Sequence, residues 1–192
     1  LEFRRVLFRS EIAVVHFDGG EVSARHAMLV NPGIPIPAEA AAVHGISDDK
    51  VKSEPRFERI AARVLELLQG RVPVAYNANF DRSFLYAEMR RAGVVPTRTR
   101  ESPPALRVGV DWIDPLVWSR AIQSNQKGHK LVEVAARVGV DHTNAHRATD
   151  DAEAAGRVLL ALLAGERELT YRELIGRQRG HAAGAAGRTW RR

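Results

Sequence analysis

Residues 74–89 read VAYNANFDRSFLYAEM, and this stretch decides the fold. Val72 to Tyr76 is a short apolar run suited to a strand, and the polar cluster Asn77-Ala78-Asn79-Phe80-Asp81 follows it at once. Phe84, Leu85, Glu88 and Met89 then continue in a helical pattern that Gly93 closes. A polar cluster between the carboxyl end of a strand and the start of a helix lies where open α/β sheets place their ligands.

Upstream, residues 11–17 (EIAVVHF) are β-branched and apolar, end at Asp18-Gly19-Gly20, and lead into a second extended run, Ser23 to Val30. This predicts a β-hairpin. The segment NPGIPIPAEAAAVHGIS, residues 31–47, holds three prolines that forbid a regular central strand; it reads as a structured loop, with a helix starting at Ser47, Asp48 and Asp49. Phe57, Ile60, Val64, Leu65 and Leu68 recur at helical steps up to Gly70, which predicts an amphipathic helix. Downstream, Val94 to Arg107 carries Pro96, Pro103 and Pro104 and reads as an exposed, mobile loop. Val108 to Ile113 reads as a strand ending at Asp114, followed by helices around Lys130 to Val138 and from Ala148 to Leu163, and a short one around Tyr171 to Arg177. A hairpin followed by alternating strands and helices implies an α/β fold with a mixed β-sheet flanked by helices.

The 192 residues suffice for one domain. No apolar run approaches the ~20 residues of a membrane span, no export leader opens the chain, and the cytoplasm is the expected compartment. Cysteine is absent, so disulfides and thiolate-bound zinc are excluded and any metal must take oxygen or imidazole ligands. Residues 1–10, LEFRRVLFRS, match the translation of a common sequencing-library adapter along their whole length and are set apart from the fold, an expression-vector scar being the competing origin. Three domains of sequence result: the adapter-like residues 1–10, a domain over 11–164, and a basic tail over 165–192. The formal net charge is +6, and the tail concentrates it, with seven arginines against three glutamates. Such a tail suits an anionic partner, or is a solvated end.

Three places carry possible chemistry: Asn77 to Asp81, Asp114, and His146-Arg147-Ala148-Thr149-Asp150-Asp151. Each has a structural alternative. Asp81 and Asp114 suit helix N-caps, Asp114 especially since Pro115 follows it. The third run suits a helix first turn with acids placed against the dipole. His16, His26, His129, His142 and His181 stand alone and read as surface or packing residues.

In chain order, the stretches MLVNPGIPIPAEAAAVHGIS (residues 28–47), VAYNANFDRSFLYAEM (74–89) and HRATDDAEAAGRVLLALL (146–163) resemble the DEDDh, or DnaQ-like, family of 3′-to-5′ exonucleases, which includes the proofreading epsilon subunit of bacterial DNA polymerase III. The resemblance covers about Glu11 to Leu163 and implies an RNase H-like fold. The Asn-x-x-x-Asp motif falls on Asn77 and Asp81, and the His-x-x-x-x-Asp motif on His146 and Asp151. The family's Asp-x-Glu motif has no counterpart before the hairpin, which implies that the first central strand is missing and that the chain is an amino-terminally truncated fragment. Glu2 and Glu11 are no substitutes, Glu11 because it aligns after that motif.

The resemblance implies two divalent cations, magnesium or manganese, held by four acids of which this chain keeps Asp81 and Asp151, because phosphodiester hydrolysis needs both the attacking and departing oxygens stabilised. His146 would be the general base, since imidazole titrates near neutrality. His44, Gly45, Ile46, Asn77 and Phe80 would hold the terminal nucleotide. The implied substrates are 3′ ends, DNA ahead of RNA, with a DNA polymerase as a possible partner. An RNA-trimming enzyme of the same family and a non-catalytic nucleic-acid-binding module are the alternatives, and the fragment itself is expected to be inactive.

Overall fold

The computed structural model describes residues 10–142, 147–166 and 169–189, with side chains to residue 184. The expected hairpin forms from β1 (Glu11–Asp18) and β2 (Glu21–Leu29), paired antiparallel from Glu11 opposite Leu29 to Asp18 opposite Glu21. Gly19 and Gly20 turn it with φ of 63° and 92°. Positive φ at both central residues is what a twist-matched two-residue turn demands, and glycine supplies it without a Cβ penalty. A register irregularity sits between His16 and Phe17.

Seven residues of the proline-rich segment form a helix that the proline count obscures, α1 (Ala38–His44). Its prolines all precede it, and AEAAA is strongly helix-forming. Gly45, at φ 70°, ends α1 in the left-handed conformation. The short α2 (Asp48–Val51) starts where expected, although the Ser47 side chain caps nothing; Asp48 Oδ1 instead accepts the Ile36 N–H at 2.9 Å. Helix α3 (Phe57–Leu68) buries Phe57, Ala61, Val64 and Leu67, one stripe at helical spacing. Phe57, Ala61 and Val64 of that stripe, with Val30 and with Leu85 and Met89 of α4 (Ala78–Arg91), form the largest hydrophobic cluster.

The two expected central strands shrink to a single parallel bridge between Val74 and Ile113. The Ala75 N–H donates to the Ile113 carbonyl at 3.1 Å and the Ile113 N–H to the Pro73 carbonyl at 2.9 Å. Two residues account for the shortening. Pro73 has no N–H to extend the ladder, and Gly109, at φ 89°, turns the other segment out of extended geometry. The expected exposed loop also differs: Ala105 and Leu106, in a 3-10 turn (Pro104–Leu106), are each 1% exposed and belong to the large core cluster. The Trp112 indole N–H donates to the Ala105 carbonyl at 3.0 Å, and the Arg107 guanidinium group donates to the carbonyls of Thr99, Arg100 and Ser102. Clustered prolines mark a chain without regular hydrogen bonding, and this one is packed rather than free.

Four more helices follow: α5 (Pro115–Ile122), α6 (Leu131–Arg137), α7 (Ala148–Leu162) and α8 (Tyr171–Thr189). Helix α7 lies across β1, close enough that a Cβ on Gly156 would stand 2.4 Å from the Phe17 ring. Helix α8 runs past the short segment expected from sequence. Ile175 joins Ile113, Trp118 and Leu159 in a buried cluster, the Tyr171 hydroxyl donates to the Asp111 carbonyl at 2.7 Å, and the His181 ring packs edge-on to Trp118. Among the described residues no helix is long and apolar enough to cross a membrane.

Candidate active site

The Asn77–Asp81 segment is built by a carboxylate from the neighbouring parallel segment. Asp114 is 8% exposed; its Oδ1 accepts the N–H of Asn77 at 2.9 Å and its Oδ2 that of Ala78 at 3.0 Å. Asp114 Oδ1 also accepts the Leu116 N–H at 2.9 Å and so caps α5, with Pro115 in the first helical position. The N-cap reading of Asp114 is therefore right and incomplete, since one carboxylate closes the amino ends of two helices. Burial pushes its carboxyl above the usual range, opposed by the N–H donors of Asn77, Leu116 and Ala78.

This clamp leaves Asn77 at φ 62°, the sole non-glycine residue at positive φ among those described, and makes it the N-cap of α4. Asn tolerates this region better than most residues. Asp81 is consequently not an N-cap; it is the fourth residue of α4, half-buried in the first turn, where a carboxylate is favoured by the helix dipole. Phe80, the third, is 37% exposed.

Asp151 holds the same place in α7, its fourth residue. The Asp151 N–H donates to the Arg147 carbonyl at 2.9 Å, making the first helical bond. Two side chains that sequence reasoning set aside converge on this turn. His142, its side chain 4% exposed, places Nε2 2.7 Å from Asp151 Oδ1. Glu11, 8% exposed at the start of β1, accepts the Ala148 N–H at 3.2 Å. No local pattern marks either: His142 looks isolated in sequence, and Glu11 lies 137 residues from its partner. The other lone histidines do pack, His16 against the Leu67 carbonyl and the His26 ring, His129 against Ser119.

His44 ends α1, and its Nδ1 accepts the Ile46 N–H at 3.1 Å; Gly45 is exposed and Ile46 is 5% exposed. His146 lies outside the described residues. Among those described, no three His, Asp or Glu residues group closely enough to hold a metal ion. The carboxylates of Asp81 and Asp151 thus do not by themselves fit a two-cation centre.

Known proteins resemble this chain in sequence and in fold. The family model RNase_T, described as an exonuclease, matches residues 8–159. The chain is 33% identical over 161 residues to the 3′-5′ exonuclease DinG of Bacillus subtilis, covering 84% of itself and 16% of that protein. It is 30% identical over 156 residues to the DNA polymerase III subunit epsilon of Treponema pallidum, covering 80% of itself and 67% of that subunit. The chain therefore spans about one sixth of the length of the Bacillus relative. Among solved structures, Exonuclease X in complex with 5′ overhanging duplex DNA superposes with a TM-score of 0.63 at 22% identity, over 86% of this chain and 87% of that one. The nuclease domain of 3′hExo, a DEDDh family member bound to rAMP, superposes with a TM-score of 0.61 at 14% identity, over 84% and 95%. At those identities the likeness establishes the fold, which is that of the RNase H-like DEDDh exonucleases. The sequence match runs from the hairpin nearly to the end of α7 and takes in both helix starts, and on that ground the chain belongs to the exonuclease family.

Proposed function

We infer that the protein to which this chain belongs is a metal-dependent 3′-to-5′ exonuclease that releases nucleoside monophosphates from the 3′ ends of DNA, in proofreading or repair. One observation carries the reading: Asp81 and Asp151 occupy the same place, the fourth residue, in the two helices that bear the family's second and third motifs. In this reading Asp81 and Asp151 are metal ligands, His146 takes the proton from the attacking water, and Asn77, Phe80 and the His44-Gly45-Ile46 loop hold the terminal nucleotide. DNA is favoured over RNA because the relatives at 30% identity or more include a DNA polymerase III subunit, which also makes a polymerase the natural partner.

The chain itself is inferred to be inactive or nearly so. Of the four acids the family pattern asks for, it carries Asp81 and Asp151. Two carboxylates oppose two dications with about half the charge that four would supply.

The test is restoration. An Asp-x-Glu strand grafted ahead of Glu11 is expected to confer magnesium-dependent release of mononucleotides from a labelled DNA oligomer, abolished by His146→Ala, with matched RNA degraded more slowly. Faster loss of RNA would select the RNA-trimming alternative. A folded, grafted chain that binds oligonucleotide without cleaving it would select the binding module.

A further inference from the structure

We propose that Glu11 is a positioning residue for the first turn of α7, Ala148 to Asp151, acting through its hydrogen bond to the Ala148 N–H. The first N–H groups of a helix have no partner inside it, and the way they are satisfied sets the helix entry. In α7 that partner comes from the far end of the sequence: Glu11 Oε2 stands 3.2 Å from Ala148 N, and Glu11 Oε1 stands 3.6 Å from the Arg147 guanidinium group. Glu11 is 8% exposed, whereas Arg147 is 61% exposed, so the buried hydrogen bond outweighs the solvated ion pair. Glu11 thereby ties β1 to the first turn of α7, the turn that carries Asp151. Further along, Gly156 against Phe17 and Arg25 against Glu153 at 2.5 Å hold α7 to the hairpin, while Glu11 holds its amino end to β1.

The proposal rests on reading His146 and Asp151 as site residues, but its test does not depend on catalysis. Amide hydrogen exchange on the full chain reads it directly. Glu11→Ala is expected to speed exchange at Asp151 by about tenfold while Val158 and Leu159 stay within about twofold. Glu11→Gln, which keeps an oxygen acceptor, is expected to recover most of that protection. Ala148→Pro deletes the donor at a position where proline is tolerated, and on that background Glu11→Ala is expected to add less than about twofold. Unchanged exchange at Asp151 in Glu11→Ala, a Gln variant no better than Ala, an undiminished effect on the proline background, or protection lost evenly along α7 each overturns it. Failure of the site reading would look different: oligonucleotide binding indifferent to Asp151→Asn, with the exchange pattern intact.

Discussion

The Asp114 carboxylate accepts the backbone N–H of Asn77 at 2.9 Å, so the residue that ends one parallel segment sets the entry to the helix carrying Asp81. Gln178 of α8 completes the clamp, its Oε1 accepting the Asp114 N–H at 2.8 Å and its Nε2 donating to the Trp112 carbonyl at 2.9 Å. The order of the Asn77–Asp81 motif is therefore a property of three chain segments rather than one.

Replacing Asp114 should rank two substitutions. Asparagine keeps one oxygen for Asn77 and Leu116 but turns an NH2 toward the Ala78 N–H, and alanine leaves all three donors without acceptor. We expect Asp114→Asn to cost about 1–2 kcal/mol and Asp114→Ala about 2–4 kcal/mol in urea unfolding. Equal costs would show that the Ala78 contact contributes nothing.

Asn77 offers a way to separate conformation from recognition. Glycine adopts φ 62° freely, so Asn77→Gly should leave stability within about 0.5 kcal/mol, while Asn77→Val should cost about 2 kcal/mol. If Asn77 also holds a nucleotide, the glycine variant will lose oligonucleotide affinity at unchanged stability; equal affinity would confine Asn77 to its backbone role.

Gly156→Ala pits helix propensity against space. Alanine is better in a helix by about 1 kcal/mol, but its Cβ would stand 2.4 Å from the Phe17 ring, and the crowding should win, for a net loss of about 1 kcal/mol. Shrinking the ring, Phe17→Leu, should reverse part of that loss, and a double-mutant cycle of melting curves measures the coupling.

The Arg25–Glu153 pair should give a readable acid dependence. The Arg25 hydrogen bond, ahead of that from Arg157, holds the Glu153 carboxyl below the usual range. A depressed carboxyl contributes stability that is present above its unfolded value and lost as pH falls through its folded value. Stability of the parent chain should therefore fall more steeply below pH ~4.5 than that of Glu153→Gln, the gap above that pH being at most about 1 kcal/mol because the Arg25 partner is half exposed. Parallel stability curves would rule the pair out as a contributor.

Periodicity and punctuation made the hairpin, the amphipathic α3 and the limits of α6 and α7 legible, because their signals are local: alternation, a Gly-Gly turn, a helical stripe, a glycine stop. The site was legible only as far as its motifs are contiguous. Asp81 and Asp151 stand out by spacing, and so do Asn77 and His146. Asp114 stands out too, at a strand end before a proline, but its hold on Asn77 does not, and neither do Gln178, Glu11 and His142, because all four act on groups that the chain brings near only after folding.

The sequence by itself determined the family, the motif-bearing helices and the acids available for chemistry, since these depend on residue identity and short spacing. Tertiary structure alone decided that Asp81 lies one turn inside α4 rather than at its cap, that the proline-rich loop is packed into the core, and that Glu11 closes the amino end of α7. Each of those outcomes turns on how a buried polar group or apolar side chain finds a partner across the fold, and burial imposes that requirement only once the distant segments have met.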